Sequence, residues 1–497
     1  MEQKKSGKAV VIGGSIGGML AARALADHFE KVVIVERDNP PKVAKPRRKV
    51  PQDRHIHVLL QSGQESLEKY FPGILEELET EGLNIIDSGL DIAWHHFGVW
   101  KKREETKLPM VLCMRYFLEH NVRQRMLEVE NVEFKNRTVV DHLLTNEAQD
   151  RVTGLMIRGA IRHVDRRQEL HADLVVDASG RGSHMPHWLE EMGYKAPDKE
   201  SFGIDLAYTS RMYRPPKNWE RDFKIMVTYP RPPEQHRAGF ISCVEKDLWC
   251  VSLNGYFGDH APREEDGFLE FATKLPTQDI YDRIKDATPV SDIQRFVIPE
   301  ARRYHYEKLR RFPEGVVVLG DAFCVLNPVF GQGMSIAALE SVALGEEIAR
   351  LRRKRGGSLD GLAKRFFKRA SGIVALPWLV STTEDLRFAQ TTGKRSVIVD
   401  FLNLYKSQLL ELCSTNAHIQ REFLKLVHMK NDLPSLLLPA VSLPAIWHGL
   451  KSIFLSLPNR ANTDRLPKGR TWKPRKTKTR TTQKHAGATA EMGWPAA

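Results

Sequence analysis

Lys8-Ala9-Val10-Val11-Ile12-Gly13-Gly14-Ser15-Ile16-Gly17-Gly18-Met19-Leu20-Ala21-Ala22 is the stretch on which the fold turns. An apolar strand runs into small residues and then into an alanine-rich helical segment ending near Ala26. A second strand, Val32-Val33-Ile34-Val35, ends at Glu36. Gly13 and Gly18 match the first and third glycines of G-x-G-x-x-G, with Ser15 in the middle slot. The first glycine makes the tight turn, the middle residue must let backbone approach a pyrophosphate, and the third lets helix and strand pack closely. Free N–H groups and the partial positive charge of the helix start then face the phosphates. This reading makes Gly13, Ser15, Ile16, Gly17 and Gly18 phosphate-site candidates. Glu36, with Arg37 after it, stands where an acid accepts hydrogen bonds from a ribose diol. Gly13-x-Ser15-x-Gly17 also spells the G-x-S-x-G nucleophile elbow, but only twelve residues precede it. Hydrolases place several strands and an oxyanion loop before that turn.

A second constellation follows 300 residues later. Gly315-Val-Val-Val-Leu-Gly320-Asp321-Ala322 reads as a buried strand ending in a glycine and an acid. Asn327-Pro328-Val329-Phe330-Gly331-Gln332-Gly333-Met334-Ser335 reads as a loop opening a helix near Gln332. Asp321 can accept from polyol hydroxyls. The Gly331–Gly333 turn aims backbone N–H groups at whatever lies before it.

Together the two segments resemble the FAD-dependent monooxygenases of the aromatic-hydroxylase and squalene-epoxidase type. The resemblance implies an α/β fold: a Rossmann-like FAD domain interleaved with a β-sheet substrate domain and followed by a helical region. It implies that Asp321 holds the ribityl chain of FAD, and that Gly331, Gln332 and Gly333 lie beside the pyrimidine ring, with Pro328 and Met334 as further cofactor-binding candidates. Pro51-Gln52-Asp53-Arg54-His55-Ile56-His57-Val58-Leu59-Leu60 is similar to the P-Q-G-R-H-x-H-x-L-L stretch of a bacterial subgroup, with Asp53 in place of glycine. Glu384-Asp385-Leu386-Arg387 also looks like that subgroup. Arg115 matches an arginine placed near the FAD phosphates, and Arg48 and Arg54 are further cationic candidates for the diphosphate. One departure concerns the electron donor. Ser179, in Asp177-Ala178-Ser179-Gly180, occupies the acid slot of a motif serving both FAD and NAD(P)H. NAD(P)H remains the expected donor, with a separate flavin reductase as the alternative.

The resemblance implies a reaction in which reduced FAD and O2 give a C4a-hydroperoxide that hydroxylates or epoxidises a small lipophilic or aromatic substrate. Such chemistry needs no protein nucleophile, and no catalytic group is singled out. Two other readings stay open: FAD-dependent reduction of a prenyl-type alkene, and a non-enzymatic flavin-binding protein contacting membrane or nucleic acid. The W-x-W-x-I-P signature of tryptophan halogenases is absent, which disfavours halogenation. No histidine cluster has a cysteine partner at zinc spacing, so no metal site is expected. His55 and His57 read as structural, and Cys324, among apolar neighbours, as a buried inert thiol.

The 497 residues divide accordingly. Residues 1–60, 114–190 and 313–357 form the expected FAD domain, and 61–113 with 191–312 the β-rich substrate domain. Residues 358–432 are helical. Residues 433–457 are an apolar segment in which Pro434, Pro439 and Pro444 break any spanning helix. Residues 458–497 are a basic tail without hydrophobic period, read as disordered. Net charge is +13. The tail's ten Lys or Arg against two acids account for +8 of it. The charge therefore argues weakly for nucleic acid. It favours a cofactor diphosphate. The apolar segment reads as packing onto the globule and the tail as a solvated extension, with a peripheral membrane contact, Trp447 and Phe454 at the interface and the tail on headgroups, as the alternative. Five cysteines without a C-x-x-C, no long apolar run and no signal-peptide pattern suit a cytoplasmic protein.

Overall fold

A computed structural model describes residues 5–160, 167–354 and 356–454, without the side chains of 452–454. The basic segment 458–497 lies outside the described residues. Five short strands form a parallel sheet in the order Val316–Val318, Leu174–Asp177, Lys8–Ile12, Lys31–Val35, Val132–Lys135. Except for Val132–Lys135 they are mostly Val, Ile and Leu, because helices and the three-stranded sheet of Thr138–Thr145, Val152–Gly159 and Gln168–His171 pack on them and alternation is lost. In register, Ile12 lies beside both Val35 and Asp177, and Asp177 beside Val318. The carboxyl ends therefore lie along one edge, and the segments after them emerge together there. Those segments begin at Gly13, Glu36, Ala178 and Leu319. In open α/β sheets this edge is where ligands bind.

A nine-stranded, mostly antiparallel sheet forms the second layer. Its long strands Lys199–Arg214 and Gln294–Tyr304 pair along most of their length. The 84–113 stretch is divided between two sheets. Ile92–His96 joins the nine-stranded sheet beside Ile225–Thr228, whereas Asn84–Asp87 and Pro109–Met114 pair with each other, and the latter with Ile56–Leu59. Residues 61–80, assigned to the β-rich unit from sequence, are two helices, Gln61–Tyr70 and Ile74–Thr80. Tyr70 anchors the first to the Gly333–Lys354 helix, its hydroxyl donating to the Ser341 carbonyl at 3.2 Å.

The C-terminal region is helical: Leu362–Asp385, Val397–Leu412, Ala417–Val427 and Pro439–Phe454. The expected break is seen before Pro439, where Leu433–Leu437 is a separate turn of 3-10 helix, but not at Pro444. Pro439 opens the helix, where its missing N–H is not needed, and Pro444 forfeits one backbone bond while the helix continues. Among the described residues no helix is long and apolar enough to cross a membrane.

Candidate active site

The turn after the first strand is built as its glycines require. Gly13 has φ +102°, and a Cβ there would lie 2.5 Å from the Ala178 carbonyl oxygen. A Cβ on Gly18 would lie 1.9 Å from the Gly13 carbonyl oxygen. Only hydrogen fits between helix Ile16–Ala26 and the strand end. The turn opens on a cavity of about 690 Å³ that also reaches Ser15, Ile16 and Gly17.

Beside the turn lies a buried ionic network. Glu36 is 4% exposed. Its carboxylate accepts from the Gly14 N–H at 2.9 Å, from the Asp38 N–H at 2.8 Å and from Arg47 at 3.0 Å. Arg47 continues to Glu119 at 2.6 Å, and Glu119 lies 3.1 Å from Arg115 and 3.5 Å from Arg123. Arg115 also donates to Asp53, which is fully buried and takes the Arg47 N–H at 3.0 Å. Asp53, where the related subgroup has glycine, is thus a counter-ion to Arg115. Burial alone would raise the Glu119 carboxyl, but Arg115 and Arg47 outweigh it and hold it below its ordinary value.

Of the cationic candidates, Arg37 and Arg115 line the cavity, while Arg48 is exposed and Arg54 half-buried, both away from its wall. Arg47 and Lys49 line it instead. The run Pro46-Arg47-Arg48-Lys49 lies in a loop without period, so sequence alone could not say which side chain turns inward. The inward one is selected by Asp53, Glu36 and Glu119. Arg48→Ala is therefore expected to leave the visible flavin absorbance of the purified protein unchanged. Loss of that absorbance would contradict this placement.

The second half of the cavity comes from the far strand. Asp321, 43% exposed at its side chain, borders the cavity 3.7 Å from Arg181. Gly331 has φ +65° and packs against Val58, where a Cβ would lie 2.3 Å from the valine side chain. The 22-residue helix Gly333–Lys354 starts at the cavity, with nothing within 4 Å of where a Gly333 Cβ would stand. Pro328, Gln332 and Met334 complete this wall, and Gln332 Oε1 is buried without a partner. Ser179 lines the cavity too, but its hydroxyl bonds back to Asp177 Oδ1 at 2.5 Å, and Ser183 holds Oδ2 at 2.5 Å. The acid slot therefore presents no carboxylate.

Past this wall the cavity continues into an aromatic chamber formed by Trp94, Tyr229, Phe240, Phe296 and Phe423. Its polar groups are few. Glu384 is held by Lys406 at 2.7 Å and Arg387 at 2.9 Å, and lies 3.9 Å from His96 Nε2. Burial would raise the Glu384 carboxyl, but Lys406 and Arg387 bring it down to about 2, while burial pushes neighbouring Asp385 up to about 7. Burial also keeps His96 neutral, and its Nδ1 has no partner. His55 and His57, read as structural, both border the cavity, neutral through burial. His55 is tied to Ser210 Oγ at 2.8 Å. Cys324 is buried, its thiol pushed well up by burial. His96, Arg47 and Lys406 carried no sequence signal, because spatial convergence alone distinguishes them.

A family model described as FAD binding domain matches residues 7–360. The chain belongs to that FAD-binding family. It binds FAD and has the fold of the flavin monooxygenases. This flavoprotein is 30% identical over 394 residues to Protein Rv3254 of Mycobacterium tuberculosis, covering 78% of this chain and 81% of that one. Among solved structures it resembles p-nitrophenol 4-monooxygenase PnpA from Pseudomonas putida, at TM-score 0.60 and 16% identity, covering 86% of this chain and 99% of that one. It also resembles PqsL of Pseudomonas aeruginosa, a probable FAD-dependent monooxygenase, at TM-score 0.56 and 17% identity over 77% of this chain and 98% of that one. The flavin-dependent brominase Bmp2 superposes equally well, at TM-score 0.60 and 14% identity over 90% and 98%. At these identities the structural likenesses speak for the fold.

FAD fits the flavoprotein's residues. The glycine cradle leaves room for backbone approach, the cavity edge carries cations, and a long helix starts with its free N–H groups at the cavity.

Proposed function

We propose that the protein is an FAD-dependent monooxygenase that hydroxylates or epoxidises a small lipophilic, aromatic substrate. The observation carrying this is continuity: one cavity runs from the glycine turn to a chamber walled by aromatic rings. When bound and reduced, FAD supplies the activation of O2. The chain's residues bind, orient and exclude water. The Gly13–Gly18 turn, Arg37, Arg47 and Arg115 would hold the diphosphate, Glu36 a ribose, and Asp321 the ribityl hydroxyls. Backbone N–H groups at Gln332, Gly333 and Met334 would stabilise negative charge at the pyrimidine end. Trp94, Tyr229, Phe240 and Phe423 would clamp a ring and keep water out. Neutral His96, at the chamber wall, would hydrogen-bond a substrate hydroxyl, while Glu384 stays ionised beside it.

NAD(P)H is the proposed electron source. With Ser179 turned back onto Asp177, direct reduction is expected to be slow, so that a separate flavin reductase raises turnover. Stopped-flow bleaching of the flavin by NADH and by NADPH checks this, and rapid direct reduction would overturn it. The reaction is tested with a panel of lipophilic phenols and alkenes under isotopically labelled O2. Label in the product supports a monooxygenase, whereas oxygen from water, or anaerobic turnover of the alkene, refutes it. Substrates of this class partition into membranes, and the same reading puts the enzyme in the cytoplasm, meeting its substrate at the membrane periphery.

A further inference from the structure

Thirteen large hydrophobic side chains are strongly exposed among the described residues, and ten lie between 397 and 450. On helix Val397–Leu412 they include Ile398, Phe401 and Leu404, at 71%, 66% and 60% exposure. On helix Pro439–Phe454 they include Ile446, Trp447 and Leu450, at 61% for the tryptophan. Each set has helical spacing, so each helix shows solvent an apolar stripe. The helices pack together, with His448 Nδ1 2.8 Å from Gln408 Oε1 and Tyr405 donating to the Leu436 carbonyl. On Pro439–Phe454 the sides are reversed from those of an ordinary surface helix: small Val441 and Ala445 are buried, and the large residues point out. Monomeric soluble proteins rarely expose contiguous patches this apolar without a partner.

Three observations select the partner. Lys394 and Lys451 are exposed near the patch, with Asp400 as an exposed acid on it. The sequence beyond it, Pro458–Ala497, carries ten cations against two acids and has no apolar period with which to cover the face itself. On its inner side the Val397–Leu412 helix turns Lys406 and Leu410 into the aromatic chamber, so the patch is the back of the chamber wall.

We propose that this two-helix face seats in the surface of an anionic lipid bilayer, with residues 458–497 on the headgroups, and that lipophilic substrate passes from the bilayer to the chamber at this wall. An apolar face joined to a polybasic segment supplies the two signals stable interfacial binding requires. The passage of substrate rests on the function proposed above, but the membrane contact does not.

The test is flotation of the full-length protein with vesicles of phosphatidylcholine alone and of phosphatidylcholine mixed with phosphatidylglycerol. Binding is expected with the mixed vesicles, weakened roughly tenfold by Phe401→Glu with Trp447→Glu. A comparable loss is expected from Lys473→Gln, Arg475→Gln, Lys476→Gln and Lys478→Gln combined. Circular dichroism and size-exclusion chromatography establish that the variants are folded. No flotation with either vesicle overturns the proposal. So does binding unaffected by the Phe401 and Trp447 substitutions, or a wild-type dimer that these substitutions split without vesicle binding, which makes the face an interface between copies. Vesicle binding without oxidative turnover of any substrate would sink the proposed reaction and leave the membrane contact standing. Turnover without vesicle binding would do the reverse.

Discussion

Glu119→Gln is expected to lower the melting temperature by roughly 3–5 °C at neutral pH, from a loss of about 3–5 kcal/mol on removing one partner of a buried ion-pair network. Glu119 sits 2.6 Å from Arg47, 3.1 Å from Arg115 and 3.5 Å from Arg123, all nearly buried. Glutamine fills the same space but leaves three buried guanidinium groups sharing only Glu36, Asp53 and half-buried Asp38. The pH dependence follows with a definite sign. The carboxyl's folded value lies below its unfolded value near 4.5, so its contribution is present above that pH and lost as pH falls through the folded value. The wild type should thus lose stability on acidification more steeply than the variant. Glu128→Gln, an exposed neighbour 3.5 Å from Arg125, serves as control and should change the melting temperature little. Equal melting curves for Glu119→Gln and wild type at neutral pH would show that the network does not hold the site together.

Glu340→Gln is expected to act in the opposite direction. Glu340 is fully buried in the Gly333–Lys354 helix. One oxygen accepts the Gly320 N–H at 2.6 Å and the other has no partner. Burial raises the carboxyl to about 8, with Asp321 adding to it against the Gly320 bond. A folded value above the unfolded 4.5 means that stability is fully present below about 4.5 and is lost as pH rises toward 8. Linkage puts the loss at up to about 5 kcal/mol. Glutamine keeps the acceptor for Gly320 and removes the titration. The two proteins should therefore melt alike near pH 4.5 and diverge up to pH 8, with the variant higher, as scanning fluorimetry across that range can measure. Asp385 and Glu245, raised by burial to about 7, titrate in both proteins and cancel in the difference. Parallel curves would show that Glu340 is ionised in the fold. Because Glu340 holds the turn that carries Asp321, the variant should also keep its visible flavin absorbance.

The sequence by itself determined the βαβ unit, its phosphate turn and the return of the chain to the same sheet at Val316. These are local facts: a strand of Val and Ile, glycines where a Cβ would strike backbone, and an acid at a strand end. Each is written in consecutive residues, so the family and the cofactor were legible there. The helical character of the C-terminal region was also legible, from apolar spacing alone. What the tertiary structure decided is which distant side chains share a space. Arg47 rather than Arg48 faces the cavity because Glu36, Asp53 and Glu119 converge on it from three separate elements. The same convergence makes Asp53 a counter-ion, turns Ser179 back onto Asp177, and gathers His96, Glu384 and Lys406 at one chamber. Pro444, which local rules would make a break, is carried inside the helix Pro439–Phe454, and the large residues that a core would bury point outward from it. Burial and charge pairing depend on what packs from elsewhere, and no window of consecutive residues records that.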